Sequence, residues 1–401
     1  MGDFNQAVIL DSIRRSPEGL SRVELAASAG LAAQTVSNIC RRLLDAGLII
    51  EAGKETSGPG KPRTILRLNP GGMYAVGVHI DPSLTHYVLV DAVGTVLDSV
   101  AEATDLASPP EAAVKAMGAR IRRIVARAGI DGERIVGAGV ATPGPVDVQS
   151  GTVVDPPHMT GWNHVPLSEW LQAATGLPVV MDKDVTASAV AELWAGPANG
   201  GGNFIYVYVG TGIGAGLVIN DEVVRGSSGN VGEIGHIVTD PDGPECDCGR
   251  RGCLKVTCMP EVLVAQAQGA GILPAGTGGS VCQLVDQLAA LAQLAADGNE
   301  VAATIMTRSA HRLATAVSVL TNLLDVDRVV FGGPLWPSLA PTHMAHIPLL
   351  LQQMSVTSSV HSVEVSSTAV SIGEEAFGAA CLVMEKTFSP NAAHLLLDAK
   401  G

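Results

Sequence analysis

The chain has 401 residues, 47% of them apolar, 16% charged and 3% aromatic, with a formal net charge of −14. That length buries a large core and exceeds one ordinary compact domain, so two or three domains are expected. The composition excludes a disordered chain and a base-stacking platform for single-stranded nucleic acid. No apolar run reaches membrane-spanning length and no basic-then-apolar leader opens the sequence, so the expectation is a cytoplasmic protein with no membrane partner.

The charge is unevenly placed. Residues 1–70 carry 9 Lys/Arg against 7 Asp/Glu, whereas the remaining 331 carry 16 against 32. An acidic body repels phosphate, so any contact with DNA is confined to the N-terminal segment. That segment reads as three helices and a hairpin. Val8, Ile9 and Ile13 give helical spacing between Asn5 and Arg15, and Pro17 and Gly19 end that helix. Ser21 with Glu24 forms a capping-box pattern opening a helix over Arg22 to Ala29. Gly30 stops it, and a third helix runs from about Ala33 to Ala46. Residues 48–50 and 64–68 form two strands around a polar tip, Ser57 to Arg63. This order predicts a winged helix-turn-helix over residues 1–70. On the third helix Val36, Ile39, Leu43 and Leu44 make an apolar side. Gln34, Thr35, Ser37, Asn38, Arg41 and Arg42 supply the groups that read base edges and phosphates. Lys61 and Arg63 at the wing tip suit backbone or minor-groove contact. The plainer alternative, an amphipathic surface helix, lacks the wing and the local positive charge.

Asn69-Pro70-Gly71-Gly72 marks a boundary, after which strands and helices alternate. A strand, turn and strand at 74–90 recurs at 203–219, which predicts two related α/β lobes with a cleft between them. The first is expected over 71–184 plus about 372–401, the second over 185–371.

The chemistry is concentrated after residue 230. His236 is followed by Cys246-x-Cys248-Gly-x-x-Gly-Cys253. Three thiolates and an imidazole form a closed tetrahedral set, the usual arrangement for structural Zn2+, with no position left for a catalytic water. The alternative is a chance grouping of buried cysteines. Cys258 falls outside the pattern and reads as core. A second feature, Gly210-Thr211-Gly212-Ile213-Gly214-Ala215-Gly216 between two strands, either brings backbone N–H groups up to a phosphate or is a tight β-turn.

The body resembles the ROK family of sugar kinases and repressors of sugar-uptake genes. The resemblance is carried by Gly139 to Asp147, Gly210 to Gly216, Gly232-Glu233-Ile234-Gly235-His236 and Cys246 to Leu254, in order and spacing from about 74 to 385. It implies a two-lobed actin-like and hexokinase-like α/β body, with an N-terminal winged helix in the repressor members. Departures from the kinase pattern accompany it. Family kinases carry D-x-G-G-T-K after the first strand. Here the Gly-Gly pair has become Asp81-Pro82 and the lysine Leu84, which removes an N–H donor and adds a negative charge where phosphate should sit. In the family's E-N-D-A-N segment the aspartate is the general base. Asp184 matches it, while Lys183 and Thr186 replace the asparagines. Lys255 replaces the glutamate of C-L-E, and His158 an asparagine after proline.

The resemblance therefore implies a sugar-responsive DNA-binding repressor with its kinase activity lost. An effector is expected in the interlobe cleft at Gly144, His158, Lys183, Asp184, Glu233, His236 and Lys255. Lys183 and Lys255 either favour an anionic effector, such as a sugar phosphate or sugar acid, or pair with Asp184 and Glu233 and close the pocket. Operator half-sites imply a homodimer or homotetramer whose DNA-reading heads respond to the angle between the lobes. The alternative is an ATP-dependent hexose or amino-sugar kinase with an appended DNA-binding head. A zinc-dependent hydrolase fails because the metal set is full.

Overall fold

The computed structural model describes residues 2–55, 62–195, 202–275, 281–370 and 373–388. It opens with α1 (Gly2–Arg14), β1 (Leu20–Ser21), α2 (Arg22–Ala29), α3 (Ala33–Asp45), β2 (Ile49–Glu55) and β3 (Arg63–Leu68). The Ser21 side chain accepts from Glu24 N–H, and the Glu24 carboxylate accepts from Ser21 N–H at 2.8 Å, so the capping box forms. Gly30 ends α2 in the left-handed region at φ 63°, and a three-residue turn leads into α3. Val36, Ile39, Cys40 and Leu43 are the buried positions of α3. They follow i, i+3, i+4, i+7, so Cys40 takes the place expected for Leu44, which is half-buried. β3 pairs with β2 on one side and with β1 on the other. Two-residue β1 has no periodicity to betray it.

The body continues with β4 (Tyr74–Ile80), β5 (Leu84–Asp91), β6 (Val96–Ala103), α4 (Pro110–Ala128), β7 (Ile135–Thr142), the two-residue β8 (Val146–Asp147) and β9 (Thr152–Val153), α5 (Leu167–Thr175) and β10 (Val179–Lys183). Next come α6 (Asp184–Ala195), β11 (Phe204–Val209), β12 (Ile213–Ile219), β13 (Glu222–Val224), α7 (Leu254–Cys258), α8 (Pro260–Gly269), α9 (Val281–Ala296), α10 (Glu300–Leu324), β14 (Arg328–Gly332), α11 (Trp336–Met354), β15 (Glu364–Ser367) and α12 (Glu374–Phe388). One five-stranded sheet runs β10-β7-β4-β5-β6 and the other β13-β12-β11-β14-β15. In each, an antiparallel hairpin is extended by a strand parallel to its first member, β7 on β4 and β14 on β11. The repeat at 74–90 and 203–219 is thus the start of the same topology used twice.

Among the described residues the chain divides into two compact units, one drawn from Met1–Pro143, Gln149–Asp182 and Ala376–Gly401, the other from Gly144–Val148 and Lys183–Glu375. This grouping differs from the expected domain bounds at two places. The winged helix is grouped with the first lobe rather than standing alone. Its linker is tied down there: Arg134 Nη1 donates to Gly71 O at 2.5 Å, and Ala92 N–H to Pro70 O at 3.2 Å. Residues 144–148 belong to the second unit, not the first. Asn230 holds them, accepting from Val146 N–H and donating to Val146 O, both at 2.8 Å.

In the first unit α12 lies directly on the sheet. A Cβ at Gly77 would stand 1.8 Å from Ala376 O, and one at Gly139 1.7 Å from Ala379 O, so only glycine allows that approach. In the second unit all six residues of β11 are buried. Phe204, Tyr206 and Tyr208 pack with Val185 and Ala189 of α6. Ile205, Val207 and Val209 face the helices after β12, joined by Leu254, Cys258, Leu313 and Leu339. An apolar run without alternation is what a strand covered on both faces requires. Cys258 lies in this core, as its absence from the metal pattern implied.

Candidate DNA-reading, metal and effector sites

On α3, residues 34, 37, 38 and 41 form one stripe, opposite the buried stripe that docks the helix. Gln34, Asn38, Arg41 and Arg42 are exposed, and Thr35 and Ser37 half-buried. Gln34 Nε2 donates to Asn38 Oδ1 at 3.3 Å, which aligns the two amides along the helix. Arg41 and Arg42 make no ion pair among the described residues, so both guanidinium groups face solvent. Arg63 is exposed at the start of β3. Lys61 lies outside the described residues.

The metal set converges. One ligand atom from each of His236, Cys246, Cys248 and Cys253 lies within 4.8 Å of the others. His236 Nδ1 is 3.5 Å from Cys246 Sγ, and Cys248 Sγ is 3.6 Å from Cys253 Sγ. Thiolates on a tetrahedral zinc stand about 3.8 Å apart, so the donor set fits the ion. The loop curls through Gly249 at φ 83° and Gly252 at φ 66°. Cys246 N–H donates to Arg250 O and Gly252 N–H to Pro244 O, each at 2.8 Å.

Six of the seven expected effector residues belong to the second unit; His158 belongs to the first, exposed and at φ 62°. Lys183 ends β10, its ammonium 2.5 Å from Glu233 Oε1 and 3.3 Å from Val231 O. Its stem runs beside Gly144, where a Cβ would meet Lys183 Cε at 2.8 Å. Asp184 opens α6 and accepts from Val185 N–H at 2.7 Å. Lys255 donates its N–H to Gly235 O at 2.8 Å, so it borders the Glu233–His236 segment. Its ammonium reaches Asp247 at 2.6 Å rather than Glu233 or Asp184. That ammonium holds the Asp247 carboxyl down at about 2. Pairing of Lys183 with Glu233 therefore occurs, and pairing of Lys255 within the expected set does not. Asn230 and Asp247 were missed. Asp247 is the unconstrained residue between two cysteines, and Asn230 sits in a glycine-rich loop. Nothing local marks either.

In the turn at 81–84 and the glycine turn at 210–216, some backbone amides are bonded within the turn itself. Asp81 N–H donates to Leu84 O at 3.0 Å, and the Asp81 carboxylate accepts from Ser83 N–H at 2.9 Å and from the Ser83 hydroxyl. Gly210 N–H donates to Gly212 O at 2.9 Å. Beside it Gly333 packs on Val209, and its N–H donates to Glu374 Oε1. Tyr208 lies over Gly210, its hydroxyl 2.5 Å from where a Cβ would stand. Burial, then the neighbouring Glu375 carboxyl, pushes Glu374 up to about 8.

Two α/β lobes of common topology, a Cys3His loop and an N-terminal winged helix define a sugar-kinase-like body joined to a winged helix-turn-helix head. A profile of the ROK family matches residues 76–386, and the chain belongs to that family. It is 27% identical over 334 residues to a xylose repressor of Caldicellulosiruptor bescii, covering 82% of this chain and 83% of that one. A crystal structure of a ROK family transcriptional regulator, described as a homologue of Escherichia coli Mlc, superposes with a TM-score of 0.80 at 22% identity, over 100% of this chain and 99% of that one. The glucokinase of Streptomyces griseus, solved with glucose and AMPPNP, has a TM-score of 0.63 at 27% identity, over 77% of this chain and 98% of that one. No helix among the described residues is long and apolar enough to cross a membrane.

Proposed function

We propose that the protein is a sugar-responsive transcriptional repressor that binds double-stranded operator DNA through α3 and the wing and no longer phosphorylates sugars. The observation that carries this is the winged helix, with the polar stripe of α3 turned to solvent, on a body in which the amides of Asp81, Ser83 and Gly210 are bonded within their own turns. A phosphate cradle needs free backbone amides and positive potential. Here Asp81, Ser83 and Gly210 spend their amides on the turns themselves, Pro82 has none, and Glu374 takes the amide of Gly333. Asp184 keeps the position of the family's base.

Gln34, Thr35, Ser37, Asn38, Arg41 and Arg42 are assigned to the major groove, and Lys61 and Arg63 to the backbone or minor groove. Zn2+ is assigned to His236, Cys246, Cys248 and Cys253, where it would hold the loop in shape. Three thiolates and one imidazole fill a tetrahedral zinc and leave no position for a reacting water. The effector is a carbohydrate derivative at Gly144, Lys183, Asp184, Glu233, His236 and Lys255. Two DNA-reading heads imply at least a homodimer.

Genome-wide footprinting of the tagged protein tests the reading. Discrete sites beside carbohydrate genes are expected. Sugar-dependent ATP consumption at enzymatic rates by the purified protein, across hexoses and amino sugars, would replace it with the kinase.

A further inference from the structure

We infer that Arg312 of α10 is the positioning residue of the metal set, clamping the chain beside two of its ligands so that His236 and Cys253 are already brought together when the ion binds. This rests on the assignment of Zn2+ made above. Arg312 lies 72 residues from Asp240 along the chain, and its Nη2 donates to Asp240 Oδ2. Nη1 of the same guanidinium donates to Thr257 O at 3.4 Å. Asp240 comes shortly after His236 and Thr257 shortly after Cys253, so one side chain grips the segment leaving each of these ligands. The two segments are also joined to each other. Thr239 N–H and Asp240 N–H both donate to Gly252 O, at 2.9 and 3.2 Å. The Thr257 hydroxyl donates to Cys253 O at 3.0 Å and stands 3.2 Å from the hydroxyl of Thr239.

The grip comes from a rigid side. Leu313, Ala316 and Val317 of α10 are buried in the core of the second unit, which fixes the helix that carries Arg312. The Arg312 side chain is 13% exposed and that of Asp240 28%, so water competes little for the pair, and removal of one partner leaves the other charge uncompensated. Metal affinity includes the free energy of bringing the ligands together. A loop free to spread loses that freedom when the ion binds, whereas the clamped loop has lost it on folding against α10. The four donor atoms stand within 4.8 Å of one another, the convergence that the clamp maintains.

The experiment is competition for zinc against a chromophoric chelator on the full-length protein, for wild type, R312M, D240N, R312M/D240N, R312K and R308M, with the Tm measured on the zinc-loaded and the chelated forms. In R312M and D240N the zinc Kd is expected to rise about ten- to a hundredfold. The double variant should bind no more weakly than the weaker single variant, because each removes the same clamp. R312K, which keeps the charge without the forked donors, should fall between wild type and R312M. R308M, at an exposed position one turn earlier on the same helix, should bind zinc as wild type does. A merely structural Arg312 would lower both Tm values alike and leave the Kd unchanged. That result in D240N or R312M overturns the inference and leaves the zinc assignment standing. So does an equal loss in R308M, which would make the effect one of nearby charge rather than of contact. D240N, nearly isosteric and at a partly exposed position, carries the test if R312M does not fold. Wild type that takes up no zinc overturns both.

Discussion

A Cβ placed on Gly252 would stand 1.4 Å from the carbonyl oxygen of Asp240, and the residue adopts φ 66°. The Cys3His loop therefore closes only because this position is glycine. Asp240 is itself anchored by an ion pair with Arg312 of α10, so the carbonyl has little room to retreat. G252A is expected to cost several kcal/mol, from the clash and the left-handed backbone together. Purified G252A should carry well under one zinc per chain by elemental analysis. Gly249 has nothing within 4 Å of its Cβ position, so G249A should lose only about 1 kcal/mol and retain the metal.

Chelation of the metal should destabilise the second unit. Without the ion, Cys246, Cys248 and Cys253 stay crowded in one loop with no common partner. A strong zinc chelator should release about one zinc per chain, make the three thiols reactive to a disulfide reagent, and lower the Tm. An unchanged Tm would show that the loop is held by its backbone hydrogen bonds alone.

The recognition helix gives a prediction that separates folding from binding. Asn38 and Arg41 are exposed, so N38A and R41A should leave the Tm within about 1 °C of wild type, as surface substitutions cost within ±0.5 kcal/mol. Each should weaken binding to a footprinted operator by about 1–3 kcal/mol at fixed salt, read by fluorescence anisotropy. I39A, from the buried stripe, should instead lower stability by about 2–5 kcal/mol.

Glu374 gives a pH dependence of known sign. Its carboxyl titrates at about 8 in the folded chain and near 4.5 when unfolded. Between those values the folded protein holds the extra proton, so stability is full below about 4.5 and falls as pH rises through about 8. E374Q, which keeps a carbonyl acceptor for Gly333 N–H, should flatten that decline. Denaturant unfolding at several pH values reads the slope. An equal slope in E374Q would place the linkage elsewhere.

ATP with magnesium should leave the Tm of this protein unchanged and raise that of a ROK glucokinase treated alike, since a ligand stabilises only the state it binds. D81G/P82G is expected not to restore binding, because Gly333 N–H and Gly210 N–H stay occupied.

The features legible along the chain are the local ones. The winged helix is read from a capping box, a Gly30 stop and a helical stripe, all within one turn or two of the residues they act on. The Cys3His set lies within 18 residues of chain, and its spacing is a property of one loop. The doubled lobe shows as a strand–turn–strand pattern met twice. Tertiary structure decided the pairings between residues distant along the chain. Glu233 is 50 residues from Lys183, Asn230 is 84 from Val146, and Glu374 is 41 from Gly333. Sequence showed that Lys183 and Lys255 were misplaced charges for a kinase. It could not choose their partners, because several carboxylates satisfy one ammonium equally well until the backbone brings one of them within reach.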